Sequence, residues 1–171
     1  MTTPEILQAN ERYAANFDKP DFSHFKNVII LACIEPRIDP YTQLGLKVGD
    51  AIIIRNAGGV AEDAIRSIVV AQHFVGVRRE IMLFRHTDCG LSRVTTEGVR
   101  DLVKKENPGR DDVAKIVDAM DFHHIIDPVE SVKQDVKILS ENPLVIKGTK
   151  ISGWLYDVDT GKISQILQAI A

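Results

Sequence analysis

Three short apolar runs constrain the fold most: Val28-Ile29-Ile30-Leu31-Ala32, Ala51-Ile52-Ile53-Ile54, and Ile81-Met82-Leu83-Phe84 following Glu80. None alternates with polar residues. Each therefore reads as a strand covered on both faces, the pattern of a parallel sheet rather than of an antiparallel one with a solvated side. The segments between them carry helix signals. A helix from about 60 to 75 is stopped by Gly76, and Asp127-Pro128-Val129-Glu130 has the form of a capping arrangement that opens a helix running to about 140. After Gly90 the chain is polar and helical, broken at Asn107-Pro108-Gly109. Residues 150–158 are rich in β-formers, and Asp159-Thr160-Gly161 turns the chain into Lys162-Ile163. At the other end, Thr3 and Pro4 read as the N-cap and first residue of a helix whose apolar stripe is Ile6, Leu7, Tyr13, Ala14 and Phe17. The expected architecture is α/β: a mostly parallel central sheet flanked by helices, with a C-terminal strand pair forming an antiparallel edge. At 171 residues and 44% hydrophobic content the chain buries one substantial core, which makes residues 1–171 a single expected domain.

Chemistry concentrates where those runs end. The two cysteines fall in Cys33-Ile34-Glu35-Pro36-Arg37 and His86-Thr87-Asp88-Cys89. Cys33 alone reads as a small core residue and His86 alone as a hydrogen-bonded core histidine. Together they read differently, because both strings follow a strand and emerge at the same edge of a parallel sheet. Two thiolates and an imidazole form the ligand set of a catalytic zinc with an open fourth position; such a zinc lowers the pKa of water from 15.7 toward about 7. Asp88 is expected to cap the turn that follows it, with a hydrogen bond that steers a neighbouring ligand as the alternative. Gly58 and Gly59 read as an ordinary strand-to-helix turn or as an anion-accepting helix start. His24, His73, His123 and His124 are expected to be structural or solvated.

Composition removes other classes of function. A net charge of −3, with 21 Lys and Arg scattered along the chain, offers no field for a phosphate backbone, so nucleic acid is not an expected partner. Residues 1–17 lack an apolar signal region, and no apolar stretch approaches the ~20 residues of a membrane span. A soluble, cytoplasmic protein is expected, and a reducing compartment suits two cysteines kept as thiolates for metal.

The strings Cys33-Ile34-Glu35-Pro36-Arg37, Arg55-Asn56-Ala57-Gly58 and His86-Thr87-Asp88-Cys89-Gly90 resemble the β-class carbonic anhydrase pattern Cys-x-Asp-x-Arg, Arg-Asn-Ala-Gly and His-x-x-Cys-Gly. Similarity continues through Ala64-Ile65-Arg66-Ser67 and the terminal strand pair, from about 28 to 163, and the length resembles the compact members. The resemblance implies zinc on Cys33, His86 and Cys89, and reversible hydration of carbon dioxide to bicarbonate. For relatives within the family it implies hydrolysis of carbonyl sulfide or carbon disulfide. It also implies a homodimer or higher homo-oligomer in which the N-terminal helix packs over the neighbouring subunit. Glu35 departs from the family's aspartate. The role of the family's arginine passes to Arg37, while Glu35 has three readings: the catalytic partner of Arg37, a zinc ligand, or a solvated loop carboxylate. On the last of these the protein binds zinc with little catalysis.

Overall fold

The computed structural model describes residues 2–19 and 22–171. Strands β1 (Val28–Cys33), β2 (Ile52–Asn56), β3 (Glu80–His86), β4 (Lys150–Tyr156) and β5 (Ile163–Ile170) form one sheet in the order β2-β1-β3-β4-β5. The first four pair in parallel and β5 is antiparallel to β4. This is the expected mostly parallel sheet with its antiparallel edge. Two strands run past their apolar cores. β2 continues through Arg55 and Asn56, and β3 through Arg85 and His86, because each is held by the ladder of β1 or β4.

Helices α3 (Ala61–Val70, continued by one π-turn over Ala71–Val75) and α6 (Pro128–Glu141) cover one face. Ala61, Ala64 and Ile68 from α3 and Val132, Val136 and Leu139 from α6 pack there on Ile29, Leu31, Ile81, Leu83 and Ile151. Asp127 caps α6 by accepting from Val129 N and Glu130 N, as its sequence signal predicts. Where α6 crosses β4, a Cβ on Gly153 would lie 2.3 Å from Val132 Cγ1, so the close helix-to-sheet approach requires glycine. The opposite face has less cover. Ile38, Leu44 and Leu46, around the four-residue helix α2 (Pro40–Gln43), pack on Ile30, Ala32 and Phe84, while Met82 and Trp154 are only partly buried. Helices α4 (Thr96–Glu106) and α5 (Asp111–Asp118) fill the polar stretch after Gly90.

Helix α1 (Thr3–Ala15) starts one residue earlier than its sequence suggests. Thr2 rather than Thr3 is the N-cap, with its N–H donating to Glu5 Oε2 at 2.6 Å, and Pro4 sits at the second helical position. None of its residues is buried; Ile6, Leu7 and Tyr13, with Phe17 just beyond, remain half exposed or more. A polar segment, Asp18 to Asn27, separates it from the sheet, and positions 20 and 21 of that segment lie outside the described residues, as does Met1.

Candidate metal centre and active site

Strand β1 lies between β2 and β3, so the chain leaves its carboxyl end toward one neighbour and later returns on the other side. Ligands of parallel α/β sheets bind at such a crevice. Cys33 closes β1 and His86 closes β3. Cys89 follows three residues later, its carbonyl accepting from Ser92 N at 3.0 Å and Ser92 Oγ at 2.7 Å. The three side chains are buried, and one donor atom from each lies within 4.8 Å of the others. Among the described residues no other group of His, Cys, Asp or Glu side chains meets that criterion.

Protonation in this cluster suits a cation. His86 Nδ1 is 2.7 Å from the Thr87 carbonyl, which can only accept, so Nδ1 carries the proton and Nε2 presents its lone pair. Nε2 is buried with no hydrogen-bond partner, an orphaned acceptor that a metal would satisfy. The thiols are unbridged. Donation from Cys89 is the largest factor drawing the Cys33 thiol down to about 4; the backbone of Glu35 and Gly58 assists, and burial opposes. Cys89 is correspondingly pushed up, first by that shared hydrogen bond and then by burial. The shared hydrogen bond thus favours a thiolate at Cys33, and a bound cation would displace the remaining thiol proton. Two sulfurs, an imidazole with a free ring nitrogen and the apolar surroundings of Leu91 and Ile125 fit zinc.

Glu35 does not join the three-atom cluster. Its Oε1 accepts from Arg37 Nε at 2.9 Å and from Arg37 N at 3.4 Å, and its own N–H points at Cys33 Sγ at 3.4 Å. The Arg37 hydrogen bond is the largest of the factors holding the Glu35 carboxyl below the usual range. Asp88 is not the cap expected from its position. It adopts φ 56°, and its carboxylate instead accepts from Arg37 Nη1 at 3.1 Å and from Arg93 Nη2. The reason is reach: the two guanidinium groups offer charge-assisted donors that a one-turn helix cannot match. Gly58 and Gly59, with φ of 75° and 67°, form a tight turn before α3 rather than its start, since Val60 is the N-cap. A Cβ on Gly59 would sit 2.9 Å from the Ala32 carbonyl carbon, so the turn lies directly against the end of β1.

Several residues of the site are not evident from motif reading. Arg55 Nε donates to the Cys33 carbonyl and its Nη2 to the Glu35 carbonyl, both at 2.9 Å, and Asn56 ties the turn to Val60 through two side-chain hydrogen bonds. Arg85, next to His86, and Asp135 form a buried ion pair. Burial raises the Asp135 carboxyl, and the Arg85 guanidinium opposes that shift. The available signal was a charged residue completing an otherwise apolar strand. The histidines flagged in the sequence lie elsewhere. His123 and His124 line a cavity of about 370 Å³ with Glu62, Asp121, Arg85 and Asp135, His73 Nε2 pairs with the Leu144 carbonyl at 3.0 Å, and His24 is exposed.

Comparison with known proteins agrees with this geometry. The carbonic anhydrase family model matches residues 28–163. Beta-carbonic anhydrase 1 of Mycobacterium tuberculosis is 36% identical over 96% of this chain and 97% of its own length. A carbon disulfide hydrolase of Acidianus sp. is 31% identical over 82% of this chain and 78% of its own. Among solved structures, a carbonic anhydrase from Glaciozyma antarctica superposes with a TM-score of 0.87 at 38% identity, covering 98% of this chain and all of that one. The chain belongs to the β-carbonic anhydrase family, a family of zinc-dependent lyases.

Proposed function

We propose that the protein catalyses the reversible hydration of carbon dioxide, CO₂ + H₂O giving HCO₃⁻ + H⁺, with Cys33, His86 and Cys89 holding zinc and Glu35 and Arg37 acting as the catalytic pair. Zinc supplies the Lewis acidity that makes water nucleophilic near neutral pH. The observation that carries the reading is the Glu35 carboxylate, held by Arg37 at 2.9 Å, on a loop whose Glu35 backbone N–H points at the Cys33 sulfur at 3.4 Å. Arg37 engages Oε1, so Oε2 is the oxygen that accepts a hydrogen bond from the attacking water and directs its lone pair at the substrate carbon. Arg37 keeps the carboxylate ionised and stops its rotation. Of the three sequence readings of Glu35, this arrangement supports the pair with Arg37.

Hydrolysis of carbon disulfide or carbonyl sulfide on the same centre is a second reading, supported by the 31% identity to a carbon disulfide hydrolase. Stopped-flow carbon dioxide hydration run beside a sulfide-release assay separates the two. Fast hydration with no sulfide release supports the proposal, sulfide release alone selects the second reading, and silence in both assays of zinc-loaded protein identifies a noncatalytic zinc protein.

We also infer a homodimer. The unburied apolar residues of α1 and the thinly covered Met82 and Trp154 face are surfaces that a second copy covers. No helix among the described residues is long and apolar enough to cross a membrane. The two reduced, buried thiols support a cytoplasmic location.

A further inference from the structure

The ion pair of Arg85 and Asp135 is costly to bury and has no obvious place in the reaction. Arg85 is 3% exposed at the end of β3, and Asp135 is 4% exposed on the sheet-facing side of α6 between Val132, Val136 and Leu139. Replacing such a pair with apolar residues of similar volume is often neutral or stabilising, so stability alone does not explain its presence. Its contacts do. One arm of the guanidinium, Nη2, donates to Asp135 Oδ2, and the other, Nη1, donates to the Gly58 carbonyl. Gly58 in turn lies under the lid of the metal cluster. A Cβ added to it would meet Leu91 Cδ1 at 2.7 Å and Ile125 Cδ1 at 3.1 Å, the two side chains that cover Cys33 and Cys89. A Cβ on the next residue, Gly59, would lie 3.0 Å from the Cys33 backbone nitrogen.

We propose that Arg85 is a positioning residue for the metal: braced on Asp135, it fixes the Gly58 carbonyl and so clamps the Ala57–Gly59 turn against Cys33. The clamp acts on Cys33 through packing: Gly59 abuts the Cys33 backbone nitrogen, and Gly58 abuts Leu91 and Ile125. A turn free to drift would loosen both contacts. Groups that orient a metal ligand in this way are typically worth 10–100-fold in metal affinity or activity.

The inference rests on zinc binding by Cys33, His86 and Cys89, and the test separates the two ideas. Zinc affinity is measured by competition with a chromophoric chelator, and the sulfur-to-metal charge-transfer band is recorded after cobalt(II) substitution. Both are taken for the wild type, for the double variant Arg85→Met/Asp135→Leu, and for Leu139→Ala, a core truncation on the same helix that removes neither charge of the clamp nor its hydrogen bond to Gly58. The double variant removes both charges while keeping volume. It is expected to melt near the wild type yet bind zinc about 10–100-fold more weakly, with a displaced cobalt band. Leu139→Ala is expected to melt earlier with both metal readouts unchanged. Arg85→Lys keeps the charge for Asp135 and loses the second arm, and about tenfold weaker zinc binding is expected even if the double variant does not fold. Wild-type affinity and spectrum in either clamp variant overturn the proposal, as does an equal loss of affinity in Leu139→Ala. A wild type that binds no zinc sinks the metal site instead.

Discussion

Arg37 Nη1 lies 3.1 Å from Asp88 Oδ2, and Arg37 Nη2 reaches the Asp88 carbonyl at 3.3 Å, so Asp88 holds the arginine that holds Glu35. Asp88 takes a left-handed backbone conformation immediately before Cys89, which ties the carboxylate–guanidinium pair to the metal string through one residue. Sequence separation of 51 residues is thereby reduced to contact.

The first prediction concerns pH. Arg37 is the main cause of the lowered Glu35 pKa, and the working form of Glu35 is the carboxylate, active above that pKa. Removing Arg37 raises the pKa toward its ordinary value, so the acidic limb of the rate profile moves to higher pH. Arg37→Ala should also cost about 10²-fold in kcat/KM, the scale of losing a positioned group. Asp88→Asn should move the limb the same way but less, because Glu35 keeps its direct partner. Stopped-flow rates across the acidic range check both; an unmoved limb in Arg37→Ala refutes the pairing.

Metal content is the second test. Wild-type protein should carry about one zinc per chain, and Cys89→Ser should lose it, since a hydroxyl replaces a thiolate in the set. Elemental analysis after gel filtration gives the answer directly. Full occupancy in Cys89→Ser rules out the assigned ligands.

What the sequence disclosed and what it concealed have a common physical origin. Strand β1 was legible because Ile29, Ile30, Leu31 and Ala32 are all buried, and a strand buried on both faces must be written as an unbroken apolar run. The cluster of Cys33, His86 and Cys89 was legible because Cys33 and His86 close strands and Cys89 follows three residues later, where burial pattern and ligand chemistry meet. Asp135 was hidden. It occupies an apolar position of α6, and only the fold shows that Arg85 reaches it across 50 residues. The role of Asp88 was misread for the same reason, because both of its guanidinium partners are invisible to a local capping rule.

Helix α1 carries the third prediction. Its apolar residues Ile6 (50% exposed), Leu7 (60%) and Tyr13 (59%) stay half exposed or more among the described residues. They need a partner to leave water. Wild-type protein should sediment at twice the chain mass, and deletion of residues 1–17 should shift it to monomer while leaving the Cys33 cluster on an intact sheet. A wild-type monomer in sedimentation equilibrium removes the swapped-helix assembly from consideration.

The fourth prediction returns to the residue that departs from the family. Glu35→Asp withdraws the carboxylate by one carbon–carbon bond, roughly 1.5 Å, and Arg37, whose side chain is about half exposed, is free to follow it. Displacements of this size are worth up to about 10²-fold in rate. Restoring the family's shorter arm should therefore raise carbon dioxide hydration by about tenfold or more with zinc content unchanged. Arg37→Ala should lower the rate both in the wild type and in the Glu35→Asp background. The departure from additivity in the double variant then measures the coupling of the pair. If Glu35→Asp binds zinc normally but hydrates carbon dioxide no faster than the parent, carboxylate length is not what limits the reaction. The sulfide-release assay on that same variant then decides between a carbon disulfide or carbonyl sulfide hydrolase and a zinc protein without turnover.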